Sequence, residues 1–200
     1  MTRKSYHVLV SPVHSERKTL VVLGAPRGGT SVVSGVLRIA GVFMGEDLGH
    51  QHEDPAFRQE VPLEQKINTI REQNAQYKVW GWKLPNTIYY LKAVFPLLRN
   101  PHLIVVYRDP FSIALSSANR DKRPLTQQLL EVPIGHYRKM HQVITEIGEC
   151  PRFVCSYEEL FKDKNEFLGG LFCFCDLHPP TEHIIKCLEF MNPEKGYQCL

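Results

Sequence analysis

The sequence predicts an α/β fold in three layers, a central and mostly parallel sheet flanked by helices. Three observations predict it. Short β-branched runs alternate along the chain with longer segments of helical spacing. The run His102 to Tyr107 is apolar almost throughout, as suits a strand buried on both faces of a parallel sheet. A Gly-rich turn joins the first clear buried strand to a helix, and such a turn places backbone N–H groups around an anion.

The elements follow in order. Thr19 to Gly24 is the first clear buried strand, and Gly28 and Gly29 turn the chain. From Ser31, the residues Val32, Val33, Val36, Leu37 and Ile39 repeat at helical spacing until Gly41. Gly45 to Glu60 has no clean period and carries two glycines, two histidines and Pro55, so it reads as a long loop, a kind that is often functional. A helix is expected over Leu63 to Gln73, and a second strand over Lys78 to Lys83. Pro85 is expected to start a helix through Ile88, Leu91, Val94 and Phe95 to Arg99. His102 to Tyr107 is the third strand, and Arg108-Asp109-Pro110 ends it and opens a helix through Ile113, Leu115 and Ser116. Leu125 to Gly148 reads as helix with an interruption at Pro133. Arg152 to Ser156 is a fourth strand, and Tyr157 to Met191 reads as two or three helices. No domain boundary, repeat or low-complexity tract appears, so residues 1–200 are read as a single domain.

Composition narrows the function classes. A 43% hydrophobic and 22% charged chain of 200 residues has enough apolar surface for one core and is not a disordered segment. The net charge of +3 suits an anionic small molecule and falls short of a dedicated nucleic-acid binder. The longest uncharged apolar stretches, such as Leu168 to Cys175, are far shorter than a membrane span, and Met1 to Leu20 has no apolar core of a secretory signal. All six cysteines lie after position 149 and are read as reduced thiols, which places the chain in the cytoplasm.

The sharpest motif is Gly24-Ala25-Pro26-Arg27-Gly28-Gly29-Thr30-Ser31, between a strand and a helix. Its glycines let the backbone wrap an anion, the helix N-terminus adds positive partial charge, and Arg27 adds a full charge with forked donors. Thr30 and Ser31 add hydroxyls at the first helical turn. The spacing from Gly24 to Gly29 matches a nucleotide-triphosphate P-loop, but Thr30 stands where that motif has its Lys. The missing Lys argues against ordinary ATP or GTP chemistry. The plainer alternative is a Gly-rich turn with no ligand.

A second candidate site begins at Arg108, at the carboxyl end of the third strand, where α/β sheets place their ligands. Ser116 lies about two helical turns further on. Together they offer a guanidinium and a hydroxyl to a second phosphate; a surface ion pair with Asp109 is the alternative.

The cradle, the Arg108-Asp109-Pro110 segment with Ser116, and the late Ser156-Tyr157-Glu158-Glu159-Leu160 together resemble the sulfotransferase family, in order over about positions 19 to 175. The resemblance implies an enzyme that moves a sulfuryl group from 3′-phosphoadenylyl sulfate (PAPS), leaving 3′,5′-adenosine bisphosphate (PAP). By matching positions it implies that Arg27, Gly28, Gly29, Thr30 and Ser31 bind the 5′-phosphosulfate. It implies that Arg108 and Ser116 bind the 3′-phosphate. The bacterial and Golgi-type branches look closer than the cytosolic steroid and phenol branch, because the loop lacks the latter's Lys. The same family needs no metal, and the sequence shows no obvious Mg²⁺ carboxylate set.

An acceptor hydroxyl or amine must lose a proton, so a base is expected near the sulfuryl group. His50-Gln51-His52-Glu53-Asp54-Pro55 is the densest cluster of candidates. Glu46, Asp47, His52 and Glu53 all qualify, with Glu53 first and His52 second; a solvated polar loop or a metal-ligand set are the other readings. Lys83, before Pro85, resembles the Lys of the family's Lys-Ser/Thr-Pro element and would face the sulfate or the acceptor, although Leu84 replaces the hydroxyl residue. Trp80 and Trp82 share a face and either flank an acceptor or fill the core. Arg120 to Arg123 reads as a solvated turn. Cys173 and Cys175 with His178, His183 and Cys187 have the composition of a zinc site but not the spacing of one, and Cys199 does not fit a prenylation box.

Two rivals remain at this stage. One is a P-loop kinase or nucleotidase with Asp109 as its metal-binding acid. The other is a non-catalytic nucleotide-binding module. The acceptor, a small molecule or a glycan with a carbohydrate among the candidates, is not spelled out by any segment, nor is an oligomeric state.

Overall fold

The computed structural model describes residues 4–192. Five strands form one sheet: β1 (Tyr6–Val10), β2 (Lys18–Gly24), β3 (Val79–Lys83), β4 (Pro101–Tyr107) and β5 (Arg152–Ser156), in the spatial order β1-β5-β4-β2-β3. The pairs β2–β3, β2–β4 and β4–β5 are parallel, whereas β1 runs antiparallel on the edge of β5. That edge strand is absent from the sequence reading. Its three central residues are exposed, although Tyr6, Val8, Leu9 and Val10 are residues that favour strands.

β2 is buried along its whole length because both sheet faces are covered. Leu20, Val22, Ile104, Val106, Phe153 and Cys155 point to one face, under α1 (Thr30–Ile39), α6 (Lys164–Cys175) and α7 (Thr181–Phe190). Val21, Leu23, Leu103, Val105, Trp80 and Trp82 point to the other. There they meet α2 (Leu63–Gln76), α3 (Leu91–Val94) and α5 (Gln127–Ile147), with α4 (Pro110–Arg120) packed on α5.

Two helix expectations need correction. The segment from Pro85 to Arg99 is not one helix. It divides into a 3₁₀ turn (Pro85–Tyr89), the single turn α3 and a second 3₁₀ turn (Phe95–Leu97). Pro96 has no N–H for the carbonyl four residues back, and Tyr90 leaves helical geometry as its hydroxyl bonds the Phe57 carbonyl at 3.0 Å. Conversely, Pro133 does not interrupt α5, which runs through it and buries it. It lies in the second turn, and packing of the long apolar face outweighs the one lost hydrogen bond. The loop from Gly45 to Glu60 also holds two short 3₁₀ turns, Gly49–Gln51 and Pro55–Phe57.

Trp80 and Trp82 belong to the core. They are 1% and 0% exposed, stack on Phe57 and satisfy their indole N–H groups on Asn74 and Thr87. Neither flanks a cleft. No helix among the described residues is long and apolar enough to cross a membrane.

Candidate active site

The chain leaves β2 toward β3 on one side and later returns to lay β4 on the other. The carboxyl ends of β2 and β4 are therefore the switch point of the sheet, where a crevice opens. A cleft of about 420 Å³ lies there, lined among others by Arg27, Gly29, Thr30, Ser31, Glu53, Lys83, Arg108 and Ser116. Of the ten residues selected from the sequence, the structure brings these eight together.

The cradle is built by two left-handed residues, Arg27 at φ 63° and Gly29 at φ 84°. Gly29 admits no side chain, since a Cβ there would lie 1.9 Å from the Tyr157 ring. Gly28 does not line the cleft. Its N–H donates to the Ala25 carbonyl at 2.8 Å, which corrects the expectation that all the turn's N–H groups face the ligand. Gly28 shapes the turn instead, and a Cβ would meet that same carbonyl oxygen at 2.6 Å. The N–H groups at the start of α1 have no acceptor within the helix and face an anion naturally.

Arg108 stands at the end of β4. Its Nη1 donates to the Arg27 carbonyl at 2.9 Å, and its guanidinium lies 4.4 Å from the centre of the Tyr157 ring. Its Nε is buried with no partner, a donor in want of an acceptor. Arg27 Nε donates to Ser116 Oγ at 3.3 Å, so the two expected sites share one wall. Arg120 also lines this end, held by Asp121 at 2.7 Å. Burial, then the charges of Arg120 and Arg108, push the Arg27 pKa down, the mark of cations crowded together without enough anion.

The other end of the cleft holds Lys83 and Glu53. Lys83 is only 2% exposed, and its Nζ lies 3.0 Å from Glu53 Oε1. It is thus not a strand-end lysine in solvent. Burial pushes its pKa down, Glu53 opposes this, and Arg27 adds to it. Of the base candidates, Glu46 and Asp47 line a different hollow beside Asp54, and His52 is also placed elsewhere. It is 2% exposed, its Nδ1 lies 3.4 Å from Arg38 Nη1, and it lines a separate hollow between α1 and α7. Left-handed geometry at φ 54° turns its ring away, while its neighbours His50, Gln51 and Glu53 face the cleft.

Sequence reasoning missed Arg120, Tyr157 and His50 as cleft residues. Arg120 lies one helical turn beyond Ser116, a signal that the Arg120 to Arg123 charge run obscured. The Asp109 carboxylate is engaged as the cap of α4, accepting from the Ser112 N–H at 2.8 Å, and not turned toward the cleft. The zinc composition does not assemble: Cys173 is exposed whereas Cys175 and Cys187 are buried, and no group of three or more metal-ligating side chains converges among the described residues. Burial raises the thiol pKa of Cys155 to about 12 and of Cys187 to about 11, as expected of inert core thiols. Cys199 lies outside the described residues.

A family model described as "Sulfotransferase family" matches residues 50–181. The chain belongs to the sulfotransferase family. That match contains Arg108, Ser116 and Lys83 but begins after the cradle, whose placement rests on the fold. The sulfotransferase domain of the Synechococcus PCC 7002 olefin synthase superposes with a TM-score of 0.61 at 14% identity, over 93% of this chain and 85% of that one. Sulfotransferase STF9 from Mycobacterium avium gives 0.56 at 14%, over 89% of this chain and 68% of that one. Mouse sulfotransferase SULT7A1, complexed with PAP, gives 0.56 at 15%, over 92% of this chain and 66% of that one. At these identities the likeness establishes the shared α/β fold. No curated protein matches the chain in sequence.

Proposed function

We propose that this sulfotransferase takes its sulfuryl group from PAPS and passes it to a hydroxyl or amine of a small-molecule or glycan acceptor. One observation carries the reading. A left-handed main-chain turn and three guanidinium groups converge at one end of a single cleft, and a buried Lys–Glu pair stands at the other. The first end fits a ligand with two separated anionic groups, and the orphaned Nε of Arg108 is a donor such a group would satisfy.

Arg27, Gly29, Thr30 and Ser31 hold the 5′-phosphosulfate, with Gly28 shaping their turn. Arg108 and Ser116 hold the 3′-phosphate, and the Tyr157 ring offers a face to the nucleoside. The donor supplies a sulfur joined to a good phosphate leaving group. Glu53 accepts the acceptor's proton as a new bond forms from the acceptor's oxygen or nitrogen to sulfur. The bond from sulfur to the bridging phosphate oxygen breaks, and its electron pair leaves on PAP. Lys83 fixes the Glu53 carboxylate and, with Arg27, offsets the negative charge gathering on the leaving oxygen. The kinase-like alternative loses its metal ligand, because Asp109 caps a helix.

Calorimetry with PAP tests the donor assignment. Metal-free binding that Arg108→Ala weakens at least tenfold is the expected result; equal affinity in the two proteins sinks it. Isotopically labelled PAPS offered with cell extract tests turnover, the expected result being a labelled molecule that Glu53→Gln protein fails to produce.

A further inference from the structure

The loop that carries Arg108 leaves β4 and is fastened at once to the neighbouring helix α5. The phenol of Tyr137, on α5, accepts from the Arg108 N–H at 2.8 Å and donates to the Arg108 carbonyl at 2.8 Å. This one hydroxyl thereby satisfies both main-chain groups of the residue at the mouth of the second site. Two further contacts brace the same face of α5: the Tyr137 ring packs on the Tyr107 ring at 5.2 Å, and His141 Nε2 meets the Tyr107 hydroxyl at 2.7 Å. Tyr107 is the residue just before Arg108. None of these groups on α5 lines the cleft, so none touches the ligand itself.

We propose that Tyr137 is a positioning residue that ties the Arg108 loop to α5 through the main chain of Arg108. The place of the second phosphate subsite is then preset before the donor arrives, and little ordering is left to do there on binding. The inference rests on the donor reading above.

Tyr137 acts first on the loop that meets the 3′-phosphate, so its loss should be felt mainly by ligands that carry that group. Calorimetry with PAP and with adenosine 5′-monophosphate, which lacks the 3′-phosphate, makes the test. Tyr137→Phe keeps the ring stack and removes only the hydroxyl; it is expected to weaken PAP by about tenfold and the monophosphate by less than about twofold. A Tyr137→Phe protein that loses both ligands equally, or neither, overturns the proposal, since a merely structural role would not discriminate between them. If Tyr137→Phe fails to fold, Tyr107→Phe in the same brace is measured instead against the same selective loss. Arg108→Ala separates the two levels: unchanged PAP binding there removes the donor reading, whereas weakened binding with an indifferent Tyr137→Phe removes only the role of α5.

Discussion

The two ends of the cleft are made of different material. At the donor end, the ligand-facing groups come from the carboxyl ends of the central strands β2 and β4, and much of the geometry is main chain: left-handed Arg27 and Gly29, helix-start N–H groups and an Arg108 backbone clamped by Tyr137. At the acceptor end, a loop with two 3₁₀ turns contributes side chains, and the ion pair from Glu53 to Lys83 is its main anchor in the cleft. Under the proposed function the donor is met by main chain together with the guanidinium groups of Arg27 and Arg108, and the acceptor by side chains on a loop, the part of a fold that substitution changes most readily.

That contrast can be broken in four places. The largest effect is expected from Glu53→Gln, which removes the proposed proton acceptor. Turnover should fall by about 10²–10⁴-fold while PAP affinity stays within about twofold, read from labelled-sulfate transfer and calorimetry. Equal losses in both would place Glu53 in the donor site. Next come Arg27→Ala and Arg108→Ala, each removing a charge-assisted donor; PAP should bind about 10–100-fold more weakly in each. Gly29→Ala drives a methyl group into the Tyr157 ring and strains a φ of 84°, so the protein should lose on the order of 1–3 kcal/mol of stability. A denaturant midpoint unchanged from the parent would show that the cradle yields more easily than its contacts imply.

The smallest effect concerns Asp54 on the acceptor-side loop. Burial, reinforced by Glu46, raises its pKa above the ordinary 3.8, although the Ala56 N–H opposes the shift. Between 3.8 and the raised value the folded state binds more protons than the unfolded one, so stability falls as pH climbs through that window. Asp54→Asn keeps the cap on Ala56 and should flatten that slope in urea titrations across acidic pH. A slope that persists would assign it to another carboxylate.

Much of the donor end was legible in the sequence because its signals are local. The turn from Gly24 to Ser31 declares itself by adjacent glycines between a strand and a helix, and Arg108 by its position after an apolar run. The four parallel strands were legible for the same reason, since each carries its own burial in its composition. What escaped depends on distant partners. His52 and Glu53 are neighbours in a loop without periodicity, and only the left-handed turn at His52 decides which of them faces the cleft. Lys83 was singled out through the family resemblance alone, and its ion pair was not legible because its partner Glu53 lies 30 residues away. Tyr157 was hidden as a cleft residue, for its ring meets Gly29 only once β5 is in place. β1 was overlooked although Tyr6 to Val10 is rich in strand formers, because the buried partner that places it, β5, lies far along the chain.

The contact between Gly29 and Tyr157 has a consequence for how the protein is made. The cradle's sequence is synthesised early, and β2 and α1 can start to pack as soon as they emerge. The ring that walls the turn arrives with the segment after β5, behind all five strands of the sheet. During synthesis the cleft is therefore one of the last features to close, and a chain stalled before that point carries the motif without its wall.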